Sequence, residues 1–357
     1  MRKVFYVVGA AATLSAGIFV SIPLALAAGA CVLVLPLAVN RPQHLILASR
    51  RRGALLDGMA LRVLTYNIFM RPSLWFVKNN NDDYKNERLD LFIEEHLASF
   101  GIICLQEMFG TLSWRQRKLL SAAEERGFQH AAVGGSAPFV VADHHFSIKI
   151  PFLDSGVVTL SKYPIKETDT HHYTSSVLID SFAPKIVLWT LVKLPQFYLH
   201  VFNTHMQSTH TGWSTEQTAM ARARQMEELA FFVRQKMTAH PHATALICGD
   251  FNLDARGQYL EYVRMLETMQ QELSDITMER GWQVRNLCPD FPVTYGQTGE
   301  HTLTLEKDWD SEMCLDYVLF VGPPHALHTA QVTDFRTEDA PFEVLSDHQG
   351  IECDLLF

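Results

Sequence analysis

Two patterns of apolar residues divide this chain. From Val4 to Val39 no side chain is charged, and Arg2, Lys3 and Arg41 bound the run. From Leu61 onward the pattern changes to short apolar stretches rich in β-branched residues, separated by polar or amphipathic ones. Eight such stretches predict strands: 61–68, 101–108, 156–163, 185–194, 197–206, 244–251, 314–321 and 350–357. Residues 84–99 carry Leu89, Phe92, Ile93 and Leu97 on one stripe and predict a helix. A second helix is predicted over 214–239, opened by Ser214 with Gln217 as a capping box. Its expected inner face is Ala219, Ala223, Met226, Ala230, Val233 and Met237. Strands and helices in this succession imply an α/β chain with mixed sheets covered by helices. Residues 41–60 look like a basic linker and 281–313 like a long irregular insertion, with no internal repeat anywhere.

The first run sets the domain plan. A single helix needs roughly 20 apolar residues to cross a bilayer. The 36 residues of 4–39 exceed one straight span and approach two short ones, with Ser21 and Pro23 placed for a reversal. The flanking Arg and Lys residues, with Arg50, Arg51 and Arg52 beyond, put the C-terminal side in the cytoplasm for either a hairpin or a single span. The rival is a secretory signal cut after Ala25-Leu26-Ala27, but the apolar run continues well past that point. The expected organisation is a membrane anchor over 1–40, a linker over 41–60 and a catalytic domain over 61–357.

Composition narrows the classes. Hydrophobic residues are 48% and charged residues 19% of the 357, which excludes a disordered or fibrous chain. The net charge of −9 argues against nucleic acid as the partner. Six scattered cysteines without a CxxC pair argue against a zinc site and a disulfide framework, and Cys104 and Cys248 sit in apolar runs as small buried thiols.

Candidate chemistry gathers where the apolar strands end. Asn67 and Glu107 close the first two, His205 closes FNTH, and Asp250 and Asn252 follow LICG. Asp316 lies in CLDYV, and Asp347 and His348 precede the last strand. One polar residue at a strand end is ordinary capping; this many carboxylates, amides and imidazoles are what a hard divalent cation and a proton-transfer site require. His144, His145, His171, His172 and His210 belong to no such pattern and are expected as solvated loop residues. Phe139, Phe146, Ile148, Ile150, Phe152 and Trp213 flank the motifs and could touch lipid or pack in the core.

The segments TYN (65–67), LQEMFG (105–110), SGVVTLSKYPI (155–165), NTHMQS (203–208), CGDFNLD (248–254), LDYVLF (315–320) and SDHQGIE (346–352) resemble, in this order, the endonuclease/exonuclease/phosphatase superfamily. The chain looks most like its neutral sphingomyelinase (sphingomyelinase C) branch. The resemblance covers nearly all of 61–357 and implies a four-layer α-β-β-α sandwich, two mixed β-sheets flanked by helices. It also implies roles: Glu107 as principal Mg²⁺ ligand helped by Asn67, with Mn²⁺ as an alternative ion, and Asp347 as a further metal ligand. His348 would be the general base oriented by Asp316, Asp250 and Asn252 would hold phosphate and water, and His205 would bind substrate and assist the leaving group.

A bilayer anchor and an acidic surface favour a lipid over DNA, so the expected reaction is release of a phospho-headgroup from sphingomyelin or a related phosphosphingolipid. Two alternatives share the scaffold: a membrane-tethered nuclease or phosphoinositide phosphatase, and an inactive membrane scaffold. The apolar segment HHFSIKIPFLD before Ser155, and the lack of an evident aromatic hairpin, depart from secreted sphingomyelinases.

Overall fold

A strand buried on both faces must be apolar throughout, whereas an edge strand alternates or turns polar. That contrast orders the two sheets of this computed structural model, which describes residues 43–46, 61–72, 83–135, 153–177, 183–209, 215–296, 303, 312–326, 328–338 and 340–356. The first sheet contains β1 (Gln43–Ile46), β2 (Leu61–Asn67), β3 (Ile102–Gln106), β4 (His130–Val133) and β5 (Val158–Ser161), and its order is completed by two late strands, β12 (His328–Thr333) and β13 (Gly350–Leu355). The second contains β6 (Ile165–His172), β7 (Ile186–Lys193), β8 (Tyr198–His205), β9 (Thr244–Asp250), β10 (Gln283–Asn286) and β11 (Asp316–Gly322). Their orders are β1-β4-β5-β3-β2-β13-β12 and β10-β11-β9-β8-β7-β6. Each sheet holds one parallel pair at its centre, β2–β3 and β8–β9, and both sheets are therefore mixed.

Alternation along the central strands builds three apolar layers. Val63, Cys104, Leu188, Val201, Leu246, Cys248, Val318 and Ile351 meet between the sheets. Leu64, Tyr66, Ile103 and Leu105 face the other way, against α1 (Lys85–Leu91) and α2 (Arg115–Glu125). On the far side Val187, Trp189, Phe202, Ile247 and Leu319 pack against α3 (Thr215–Ala239), α4 (Tyr259–Glu272) and α5 (Ser274–Arg280). The result is the expected sandwich of helices, two sheets and helices.

All eight expected strands are present. Five more, β1, β4, β6, β10 and β12, escaped the sequence pattern. β6 (IKETDTHH), β10 (QVRN) and β12 (HTAQVT) are polar because all three lie at sheet edges, β6 and β10 at the two ends of one sheet and β12 at one end of the other. β1 lies inside the segment expected as a linker, pairing antiparallel with β4 from Gln43↔Val133 to Ile46↔His130. β10 lies inside the expected irregular insertion and pairs with β11. The helix expected at 84–99 runs as α1, a π turn over Phe92–His96 and a 3₁₀ turn over Leu97–Ser99.

The inner face expected for α3 is correct from Met226 onward, whereas before it Ala219 is only half-buried. Ala223 is exposed, and the buried positions in the first half are Thr218, Ala221, Arg222 and Gln225. The reason is local hydrogen bonding: Arg222 binds Glu261 and the Gln207 carbonyl, while the Gln207 N–H donates to Gln225 Oε1 at 2.8 Å. Residues 1–40, where the membrane segment is expected, lie outside the described residues, as do Ser214, His144, His145, His210 and the six candidate lipid-facing residues. Among the described residues no helix is long and apolar enough to cross a membrane.

Candidate active site

Parallel pairing puts the C-terminal ends of β2 and β3 side by side, and likewise those of β8 and β9. Asn67 therefore pairs in register with Gln106, directly before Glu107, and His205 pairs with Asp250. β11 runs antiparallel to β9 and begins at Asp316, opposite Asp250. β13 runs antiparallel to β2, so Ser346, Asp347 and His348 arrive at the same edge just before Gly350. All eight candidate residues gather at this edge of the sandwich.

Backbone conformation helps to turn them inward. Glu107 (φ 57) and Asn252 (φ 52) occupy the left-handed region, where a non-glycine residue is uncommon. Gly249 (φ 140) precedes Asp250, and a Cβ there would lie 2.0 Å from the Thr204 carbonyl oxygen. Only glycine lets β9 approach β8 this closely.

His348 is the centre of the arrangement. Its Nδ1 lies 2.8 Å from Asp316 Oδ2, and its Nε2 lies 3.4 Å from Asn67 Nδ2 and 3.8 Å from Asp250 Oδ2. With Nδ1–H donating to Asp316, the Nε2 lone pair faces the Asn67 amide; this tautomer is assigned from the partners. Asp250 Oδ2 accepts from Asn67 Nδ2 at 3.0 Å and lies 3.5 Å from His205 Nε2. Asp250 Oδ1 accepts from the Asn252 N–H at 2.9 Å, and the Asn252 amide donates to the Met206 carbonyl. Burial alone would lower the His348 imidazole, but the charges of Asp316 and Asp250, the Asp316 hydrogen bond and Asp347 outweigh it and raise it to about 10. Burial pushes Asp250 up to about 6 against the opposing pull of His348.

The second half of the site is acidic and faces Arg71. Glu107 Oε2 is buried, forms an ion pair with Arg71 Nε at 3.3 Å, and has no partner in hydrogen-bond geometry among the described residues. Asp347 is buried, which raises its carboxyl, and it feels both the attraction of His348 and the repulsion of Glu107. A buried carboxylate oxygen that meets a cation but makes no hydrogen bond asks for an explanation. Glu107, Asp347 and the Asn67 amide oxygen, which also accepts from the Phe69 N–H, would offer the oxygen donors that Mg²⁺ selects. Among the described residues one trio, Asp250, Asp316 and His348, has ligand atoms all within 4.8 Å of one another. Within it the His348–Asp316 hydrogen bond fixes the imidazole against a carboxylate.

Several residues at the site were not singled out from the sequence. Lys185 Nζ lies 2.7 Å from His205 Nε2, both side chains being buried. Its signal was a lone lysine opening the apolar run 185–194. Below the site, Gln106 Nε2 donates to Asn203 Oδ1 at 2.7 Å, and Asn203 Nδ2 donates to the Val158 carbonyl at 3.0 Å, a polar link between the sheets. His171 and His172 are strand residues, which corrects the expectation of loop histidines. His171 Nε2 lies 2.7 Å from Glu228 Oε2, and burial lowers His172 to about 4.

Residues 64–348 match the Endonuclease/Exonuclease/phosphatase family, and the chain belongs to it. A sphingomyelinase of Dictyostelium discoideum is 29% identical over 292 residues, covering 68% of this chain and 61% of that protein. A sphingomyelinase C of Bacillus cereus is 25% identical over 224 residues, covering 61% of this chain and 65% of that protein. The chain thus matches a little under two thirds of the length of each relative. A mutant beta toxin from Staphylococcus aureus with bound magnesium ions shares the fold at a TM-score of 0.59 and 20% identity, covering 83% of this chain and 99% of that one.

Proposed function

We propose that the chain is a divalent-cation-dependent phosphodiesterase that cleaves sphingomyelin or a related phosphosphingolipid into ceramide and the phospho-headgroup. The observation that carries the hydrolytic part is the buried His348–Asp316 pair at 2.8 Å, whose free ring nitrogen faces Asp250 and Asn67. In the forward step His348 Nε2 takes a proton from the attacking water, while Asp316 fixes the ring and offsets the imidazolium charge. Asp250 and Asn252 orient water and phosphate. The water oxygen bonds to phosphorus as the phosphorus–oxygen bond to ceramide breaks. The Lys185–His205 pair presents positive charge to that developing alkoxide and returns a proton to it. A divalent cation held by Glu107, Asp347 and Asn67, Mg²⁺ or Mn²⁺, would supply positive charge to the phosphate oxygens and, by offsetting the carboxylates around His348, bring its imidazole toward the range where it accepts a proton at neutral pH.

The lipid substrate is supported by the two sphingomyelinase relatives, by the acidic total charge and by the uncharged run 4–39. That run would attach the protein to a membrane, with the catalytic domain on the cytoplasmic side. Attachment raises the local concentration of a bilayer substrate. The test is product release from sphingomyelin and phosphatidylcholine micelles and from plasmid DNA, with Mg²⁺ and then with EDTA. Phosphocholine from sphingomyelin that stops with EDTA is expected. Nicked plasmid with both lipids intact would overturn the substrate, and turnover that survives EDTA would overturn the cation.

A further inference from the structure

Among the described residues Arg88, on α1, is one of the largest fully buried side chains, and no carboxylate of theirs lies in hydrogen-bonding contact with its guanidinium. Its donors go to backbone carbonyls instead. Nε donates to Asp83 at 2.8 Å, Nη2 to Phe69 at 3.0 Å, and Nη1 to Leu345 at 2.6 Å and more weakly to Ile68 at 3.4 Å. Burial lowers the guanidinium to about 10, so it stays charged at neutral pH.

The carbonyls it gathers are not arbitrary. Ile68 and Phe69 directly follow Asn67, and Leu345 directly precedes Ser346-Asp347-His348. The Ser346 hydroxyl donates to the Asn67 carbonyl at 2.6 Å, so the carbonyls of 67, 68 and 69 are held in sequence by Ser346 and Arg88. That stretch also leans on the third loop, through Ile68 N–H to the Gln106 carbonyl and Met70 N–H to the Glu107 carbonyl. Phe69 sits at φ 54, a conformation a bulky residue rarely adopts without outside support. A buried cation is a poor stabiliser compared with an apolar side chain of the same size. Leu89 and Phe92 already anchor this helical stretch in the core. Packing alone therefore gives no reason for arginine at position 88.

We propose that Arg88 is a positioning residue that sets the mutual placement of the Asn67, Glu107 and Asp347–His348 loops, and through it the affinity of their carboxylates for a divalent cation. The forked guanidinium reaches three chain segments at once; a lysine keeps the charge without the fork. The proposal rests on catalysis occurring at this edge of the sandwich and not on which phosphodiester is the substrate.

The test compares Arg88→Lys and Arg88→Met with Leu89→Ala, a core truncation in the same helix. Mn²⁺ affinity of each protein is read by water-proton relaxation without substrate, kcat and KM on the substrate the wild type turns over, and Tm by calorimetry. For both Arg88 variants Mn²⁺ binding should weaken by about tenfold or more and kcat fall by about 10–100-fold, as for other residues that orient metal ligands. KM should stay nearly constant. Leu89→Ala should lower Tm while leaving Mn²⁺ affinity and the kcat of the folded protein close to wild type. If Arg88→Lys binds Mn²⁺ and turns over like wild type, or if Leu89→Ala loses both in step with its Tm, the proposal is overturned. A wild type that binds Mn²⁺ but spares sphingomyelin would sink the lipid reading, and the Mn²⁺ comparison would still decide Arg88.

Discussion

Replacing Asp316 by Asn tests the chemistry and the electrostatics of the site together. The carboxylate lies 2.8 Å from His348 Nδ1, both groups are buried, and Asp316 contributes both charge and a hydrogen bond to the rise of His348 from 6.5 to about 10. At about 1.4 kcal/mol per pH unit that rise corresponds to ~5 kcal/mol, and Asp316 is the largest of the groups that raise it. A raised imidazole stabilises the fold in its protonated form. The contribution is complete below pH 6.5 and is lost as pH climbs toward 10. In EDTA-treated wild type, Tm should therefore fall across that window, and in Asp316→Asn the fall should be much shallower. Catalysis should suffer separately. Asn can donate to Nδ1 and favour the tautomer with the proton on Nε2, which cannot serve as base, and turnover should drop by about 10³-fold or more, as when a base-orienting carboxylate becomes an amide. Calorimetry from pH 6 to 10 and initial rates at saturating Mg²⁺ measure the two effects. A wild-type Tm flat across the window, or an Asp316→Asn enzyme within tenfold of wild type, would refute the reasoning.

Glu107→Gln keeps the shape of the side chain but removes the charge of a buried carboxylate that meets Arg71. It should raise the Mg²⁺ concentration for half-maximal activity and cut turnover by about 10³-fold, read by Mg²⁺ titration. Mg²⁺ added to EDTA-stripped protein should raise stability by about 3 kcal/mol at a hundredfold excess over its Kd, read as a Tm shift that Glu107→Gln abolishes. Lys185→Met, which removes the partner 2.7 Å from His205, should slow turnover by about 10²-fold with little change in Tm; an unchanged rate would remove Lys185 from the leaving-group side. Gly249→Ala places a methyl group against the Thr204 carbonyl and should cost about 3 kcal/mol or more in urea unfolding.

How much of this was legible depended on burial. The central strands are apolar on both faces, so β2, β3, β8 and β9 announced themselves, and the polar residues ending them marked the site. Asn67, Glu107, His205, Asp250, Asp316 and His348 stood out because each interrupts an apolar pattern. Edge strands such as β6 and β12 carry no such pattern, since half their surface meets water. The first half of α3 misled for the opposite cause: Arg222 and Gln225 are buried because they satisfy the loop after His205 and α4, a need invisible along the chain. Arg88 and Lys185 were silent for a related reason. Their partners lie in segments up to 257 residues away, and only the folded topology brings them together.

The site draws on both sheets: Asn67, Glu107, Asp347 and His348 hang from one, while Lys185, His205, Asp250 and Asp316 hang from the other. Two carboxylate contacts, Asn67 to Asp250 and His348 to Asp316, are rivets across the gap between two plates. The apolar layer beneath tolerates a small slide, because dispersion contacts are many and undirected. The rivets do not, because hydrogen bonds weaken steeply with misalignment. Gentle shear of one plate over the other would thus disarm the enzyme while the sandwich still holds. Under rising denaturant, activity should vanish before far-ultraviolet circular dichroism changes.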